Sequence, residues 1–190
     1  MNAEVPIVWI DCEMTGLDLN ADALIEVGIL VTNHELEILG EGLEVVISPP
    51  KGALNQMSDF VRQMHSESGL LSVLSDGIEL SQAEELILTY LQDQGVPPGK
   101  SPLGGNSTWM DRYFISRDLP RVNQFLHYRT IDVSSVKELA KRWYPSKYFQ
   151  APEKSGNHRA LNDALDSIKE LAYYRREIFI NVQEDSEIAN

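Results

Sequence analysis

Residues Val8 to Asp18 read VWIDCEMTGLD, and the order of residue types in this stretch decides the fold. The apolar run Ile7, Val8, Trp9 and Ile10 has the character of a buried strand, and it ends in Asp11 and Glu13. Side chains alternate along a strand, so both carboxylates share a face and Cys12 takes the other. Separated by roughly 6 to 7 Å, two bare charges repel by about 2 to 3 kcal/mol at an effective dielectric of about 20. A hard divalent cation such as Mg²⁺ or Mn²⁺ is the usual partner of such oxygens. Thr15-Gly16-Leu17-Asp18 follows at once, where Gly16 permits a turn close to a ligand and Leu17 is an apolar residue put out on that turn. A D-x-E tripeptide alone also occurs at strand ends that merely face solvent, so the flanks carry the argument.

Two later stretches extend the pattern: Asn106-Ser107 followed by Asp111 and Phe114, and His158 followed by Asp163. With D-x-E-x-T-G-L-D after an apolar strand, they resemble the three motifs of the DEDD exonuclease superfamily in its histidine-bearing branch. From Val8 to about Phe179, including HYRTIDVSSVKELAKRWYP from His127 to Pro145, the resemblance narrows to the oligoribonuclease family. It implies an α/β fold, a ribonuclease H-like mixed sheet of about five strands flanked by helices, forming a single exonuclease domain over residues 1–180. It also implies 3′-to-5′ hydrolysis of short RNA to 5′ mononucleotides with two divalent ions, Mg²⁺ or Mn²⁺.

Residue by residue, the resemblance assigns Asp11, Glu13, Asp111 and Asp163 to the metals and His158 to the general base. Asp11 would bridge, Glu13 and Asp163 would serve the ion that holds the attacking water, and Asp111 the second ion. Phe60 and His65 would sit over the substrate, the aromatic ring stacking on a base and the histidine near a phosphate. Ser107, Arg129 and Ser134 would lie near the 5′ phosphate, and Tyr128 would reach into the other subunit's site of a homodimer. Leu17 on its turn, opposite Phe60, can grip one or two bases by apolar contact.

Length and composition set bounds. The 190 residues, 43% of them apolar, suffice for one core. One cysteine excludes an internal disulfide and fits a reducing compartment. The amino-terminal MNAEVPIVWID lacks a basic region, and no run of 18 apolar residues exists, so the expectation is a cytoplasmic protein without membrane attachment. Net charge is −13, with an isoelectric point near 4.6. Holders of long nucleic acid present a basic face. Here Arg112, Arg117, Arg121, Arg129, Lys137, Lys141 and Arg142 cluster while the rest is acidic, a balance that by itself equally describes a merely soluble acidic protein and, beside the resemblance, suits a short substrate.

The remaining segments read as scaffold. Leu24 to Val31, Leu36 to Leu39 and Leu43 to Ile47 alternate with polar breaks, so with the opening strand they form an antiparallel meander. Glu26, inside an apolar strand, must lie at a sheet edge or be paired. Met57, Phe60, Val61 and Met64 recur at helical spacing. Ser81 to Gln94 reads as a helix capped by Ser81 and Glu84, with Ala83, Leu86, Ile87, Tyr90 and Leu91 inward. A helix from about Thr108 puts Asp111, Phe114 and Ile115 on one side. Tyr128 to Val133 reads as a strand, followed by a helix with Val136, Leu139, Ala140 and Trp143 inward. Pro145 to Asn157 reads as a loop, and the last helix runs from Arg159 to about Arg175. Five helical residues turn through about 140°, so His158 must precede the helix that carries Asp163. Residues 181–190 read as an acidic tail without order.

Three other functions share parts of this pattern. A proofreading or tRNA-trimming exonuclease acting on longer DNA or RNA keeps the metal site but needs more basic surface. A catalytically silent module that binds RNA ends or a protein would most simply lose one of the acids or His158, and none is lost. A metal-dependent phosphatase of small phosphates is separated by comparing diester and monoester substrates.

Overall fold

Strand β1 (Ile7–Met14) runs through both acids rather than ending at them. It continues because β2 (Leu24–Thr32) pairs with it antiparallel along its length, from Ile7 opposite Thr32 to Glu13 opposite Glu26. The structure is a computed structural model that describes residues 5–153 and 155–179; the expected tail lies outside the described residues. Strand β3 (Leu43–Val46) pairs antiparallel with β2. Strands β4 (Leu103–Gly105) and β5 (Thr130–Asp132) join on the other side of β1 in parallel, which gives the order β3-β2-β1-β4-β5. This is the expected mixed five-stranded sheet. The meander holds for β1 to β3, but Leu36 to Leu39 supplies only the single bridge between Thr32 and Ile38.

Helices α1 (Asp59–Glu67), α2 (Leu70–Val73) and α3 (Leu80–Asp93) lie between β3 and β4. Helices α4 (Thr108–Asp118) and α5 (Pro120–Phe125) precede β5. After β5 come α6 (Val133–Trp143), α7 (Pro145–Tyr148) and α8 (Ala160–Glu177).

The alternation of β1 divides the core. Val8, Ile10 and Cys12 pack with Ala83, Ile87 and Leu91 of α3 and with Phe114 and Ile115 of α4. Ile7 and Trp9 pack instead with Val133 and Ala140 of α6 and Ala164, Ile168 and Tyr174 of α8. The Val, Leu, Ile and Phe side chains among them, fully buried, contribute about 1.5 to 3 kcal/mol each. Trp9 Nε1 is not stranded there, since it donates to Thr32 Oγ1 at 2.9 Å. Asp11 and Glu13 share the parity of Trp9, so the strand aims both acids at the α8 side. Gly28 lets α8 approach: a Cβ at this position would lie 2.1 Å from Leu161 N and 2.2 Å from the Ala160 carbonyl carbon. The amino-terminal end of α8 therefore rests directly on β2.

Several local expectations are corrected. Helix α3 begins earlier than Ser81, with Gln82 Oε1 accepting from Glu79 N at 3.2 Å, while Glu84 is buried and accepts from Arg121 N at 2.7 Å. Its inner face includes Leu88, and Leu86 points outward. Strand β5 is shorter than Tyr128 to Val133: Tyr128 and Arg129 stand in solvent ahead of it, and Val133 already begins α6. On α6, Leu139 and Trp143 are exposed and Val133 and Ala140 carry the packing. The stretch expected as loop holds the single turn α7.

Candidate active site

Three carboxylates converge where β1 meets α8. Asp11, Glu13 and Asp163 each offer an oxygen within 4.8 Å of the others. Asp163 sits in the first turn of α8, where a helix N-terminus also favours negative charge. Burial, followed by the charges of Asp163, Glu26 and Asp111, pushes the Glu13 carboxyl up to about 8, and the Arg159 guanidinium opposes this. Three acids so placed ionise together only beside a positive charge. A hard, all-oxygen donor set of this kind fits a divalent cation of the Mg²⁺ or Mn²⁺ type.

Asp111 is adjacent to, but outside, this triplet. It projects from the first turn of α4, is buried, and accepts from Cys12 N at 3.0 Å through Oδ1. Burial raises its carboxyl to about 7 although that backbone hydrogen bond favours ionisation. The acid the sequence placed beside Phe114 and Ile115 is thus tethered to the strand that carries Asp11 and Glu13.

His158 precedes α8 in an exposed segment, with φ of 46°, a left-handed conformation uncommon for a non-glycine residue. With Asn157, Arg159 and Asn162 it lines a cleft that reaches Glu67 and Ser68 at the end of α1. His158 and His65 lie in one electrostatic neighbourhood.

His65, expected near a substrate phosphate, has its side chain fully buried. Nε2 donates to the Met14 carbonyl at 2.8 Å, which fixes the tautomer, and Nδ1 stands 3.9 Å from Glu13 Oε2 without a hydrogen-bond partner. Burial lowers its pKa, so the ring is neutral and lies behind a site acid.

Of the other expected substrate residues, Leu17, Phe60, Ser107, Tyr128 and Arg129 are exposed and Ser134 is half-buried. Leu17 is 65% exposed and Phe60 77%, both large apolar groups presented to solvent. The loop that presents Leu17 is held by Asp22, which accepts from Thr15 Oγ1 at 2.8 Å and from Asp18 N at 2.8 Å. At Gly16 a Cβ would lie 2.4 Å from Asp22 Oδ2, so the carboxylate that holds the loop would have to shift. Ser107, also left-handed with φ of 54°, caps α4. Its N–H donates to Asp132 Oδ1 and Ser134 Oγ at 3.0 Å each, and the two serine hydroxyls lie 3.2 Å apart. Asn106 and Glu170 brace the pair from behind: Ser134 Oγ donates to Asn106 Oδ1, whose amide donates to Glu170 at 3.2 Å. Tyr128 is exposed beside Arg129, whose guanidinium lies 5.3 Å from the ring centroid.

Sequence reasoning missed Asp22, Glu170 and Arg159. None had a motif, and only the apolar setting of Glu26 announced a partner. Glu26 lies in an interior strand, fully buried, and is paired with Arg159.

Comparison with known proteins agrees with this architecture. The profile of the exonuclease family, RNase T type, matches residues 8–171. The chain is 58% identical over 174 residues to the oligoribonuclease of Streptomyces griseus, covering 92% of this chain and 87% of that one. It is 51% identical over 175 residues to that of Mycobacterium tuberculosis (strain ATCC 25177 / H37Ra), covering 92% and 81%. Among solved structures, E. coli exonuclease I in complex with a dA16 oligonucleotide superposes with a TM-score of 0.71 at 14% identity. That match covers 91% of this chain and 41% of the other, so this chain spans about two fifths of it and the likeness is one of fold.

Proposed function

Since the chain belongs to the exonuclease family and, within it, to the oligoribonucleases, we propose that it removes 5′ mononucleotides one at a time from the 3′ end of RNAs of about two to five nucleotides. The observation that carries this reading is the convergence of Asp11, Glu13 and Asp163 oxygens within 4.8 Å; the exposed apolar side chains of Leu17 and Phe60 are of the kind that suits bases. Asp11, Glu13 and Asp163, with Asp111 beside them, would hold two divalent cations, Mg²⁺ or Mn²⁺. Bound there, the ions supply Lewis-acid stabilisation of charge on the phosphoryl oxygens and acidify the attacking water.

The chain's own groups do the rest. Leu17 and Phe60 hold the terminal bases by apolar contact and stacking, worth about 1 to 3 kcal/mol per base. The hydroxyls of Ser107 and Ser134 and the guanidinium of Arg129 hold the 5′ phosphate and so measure the length of the substrate. A ring nitrogen of His158 takes the proton of the attacking water, a task for which an exposed imidazole on a segment outside the helix is suited.

The exposed aromatics Trp109, Tyr113 and Tyr128 support a homodimer in which Tyr128 reaches the partner's site. Light scattering in solution tests it, with a monomer as the contrary result. The single buried cysteine accords with a reducing cytoplasm. Among the described residues no helix is long and apolar enough to cross a membrane.

The direct test is product analysis of a 5′-labelled pentanucleotide with Mn²⁺. Stepwise loss of 5′ mononucleotides from the 3′ end is expected. Internal cleavage, or release of inorganic phosphate alone, contradicts the assignment.

A further inference from the structure

Glu26 is fully buried in β2 between the apolar neighbours Ile25 and Val27, and the reaction as described does not use it. Its Oε1 accepts from Arg159 Nε at 2.9 Å and Nη2 at 2.7 Å, and its Oε2 accepts from Ala160 N at 2.9 Å. Arg159 Nη2 also donates to Glu44 at 2.7 Å. Among the described residues, all of Glu26's donors therefore come from the two residues that immediately follow His158. A buried carboxylate is retained only where ionic donors satisfy it, and its loss would release every group it holds. Two further features aim this clamp at the histidine. Gly28, two residues along the same face of β2, brings the start of α8 against the strand backbone. His158 is held at φ of 46°, a conformation that persists only when its surroundings impose it.

We propose that Glu26 is a positioning residue for the reaction: through Arg159 and the Ala160 N–H it fixes where the His158 imidazole stands relative to the carboxylate cluster. This rests on His158 being the proton acceptor. The pairing of Glu13 with Glu26 across the β1–β2 ladder places the clamp beside the acids, so the same guanidinium that orients the loop also lies near the site. A misplacement of the base by about 1 Å suffices to slow the reaction about a hundredfold.

The test is a double-mutant cycle on the full chain with a diadenylate and Mn²⁺, read in single turnover with enzyme in excess. Glu26→Gln keeps the shape and one acceptor but sets an amide N–H₂ against the remaining donors. The cleavage rate at saturating dinucleotide is expected to fall about a hundredfold, with half-saturation changed less than about threefold. Mn²⁺ titration by calorimetry should be unchanged. On a His158→Ala background the same substitution should slow cleavage less than about threefold, because its effect passes through the missing ring. An equal loss on both backgrounds, an unaltered rate in Glu26→Gln, or loss of Mn²⁺ binding overturns the proposal. If circular dichroism shows Glu26→Gln misfolded, Arg159→Gln, on the more exposed side of the pair, takes its place in the cycle under the same criteria. Wild-type protein that fails to cleave the dinucleotide refutes the assigned activity itself, a result distinct from additivity in an active enzyme.

Discussion

Replacing Glu13 by glutamine should change how the metal-free protein responds to pH. In the folded chain burial and neighbouring acids raise this carboxyl from 4.5 to about 8. Between those values the folded state keeps a proton that the unfolded state has released, so stability declines as pH rises from 4.5 through 8. From pH 5.5 to 8 the decline attributable to Glu13 is at most about 3 kcal/mol, at 1.36 kcal/mol per unit, and local relaxation with water entry brings it toward about 1.5. For a chain of this size each kcal/mol moves Tm by about 2 to 4 °C, so Glu13 accounts for a fall of about 4 to 10 °C. The assay is scanning calorimetry in chelator at pH 5.5 and 8.5. Wild type should melt lower at pH 8.5, and Mn²⁺ should restore it there. Glu13→Gln should show a shallower dependence, since Asp111, raised to about 7, still contributes in the same direction. Equal pH slopes in the two proteins, or a wild type more stable at pH 8.5 without metal, would refute the reasoning.

Asp11→Asn should lower activity more than tenfold while leaving metal-free stability unchanged or improved, measured by initial rate and by chemical denaturation, because one source of repulsion is gone. Phe60→Ala, at a side chain 77% exposed, should alter stability by less than about 0.5 kcal/mol yet raise KM for a dinucleotide roughly 5- to 100-fold. Gly28→Ala places a Cβ 2.1 Å from backbone of α8 and should cost about 3 kcal/mol in urea melts, with loss of activity because Asp163 rides on that helix.

The parts of this molecule that were legible in sequence are those carried by local pattern. The parity of β1 separates Asp11 and Glu13 from Cys12, and the structure keeps that separation through two different cores. Helix geometry put His158 ahead of α8, where it stands. What escaped depends on contacts distant in sequence. Arg159 reads as a surface charge until β2 is laid beneath it and Glu26 receives it. Resemblance put His65 near a phosphate, while its burial, on an α1 face that turns under Met14 and Glu13, had no local signal. Leu139 and Trp143 fit an inward helical stripe by spacing, yet α6 meets the core through Val133 and Ala140. Apolar periodicity marks which residues share a face, not how far the neighbouring element reaches along it.

The central claim is that an enzyme of net charge −13 acts on RNA ends and is suited to short chains. Few phosphates can be met by the metals, Arg129 and the two serines, whereas a long strand would lay many phosphates on a negative surface. The decisive measurement is kcat/KM for 5′-labelled RNAs of 2, 5, 10 and 20 nucleotides, followed by mass spectrometry at several salt concentrations. The account predicts a maximum from two to five nucleotides, a clear drop at 20, and a salt slope near −1.4, about two phosphate contacts on a single strand. A 20-mer processed as fast as a dinucleotide, with a slope several times steeper, would contradict it.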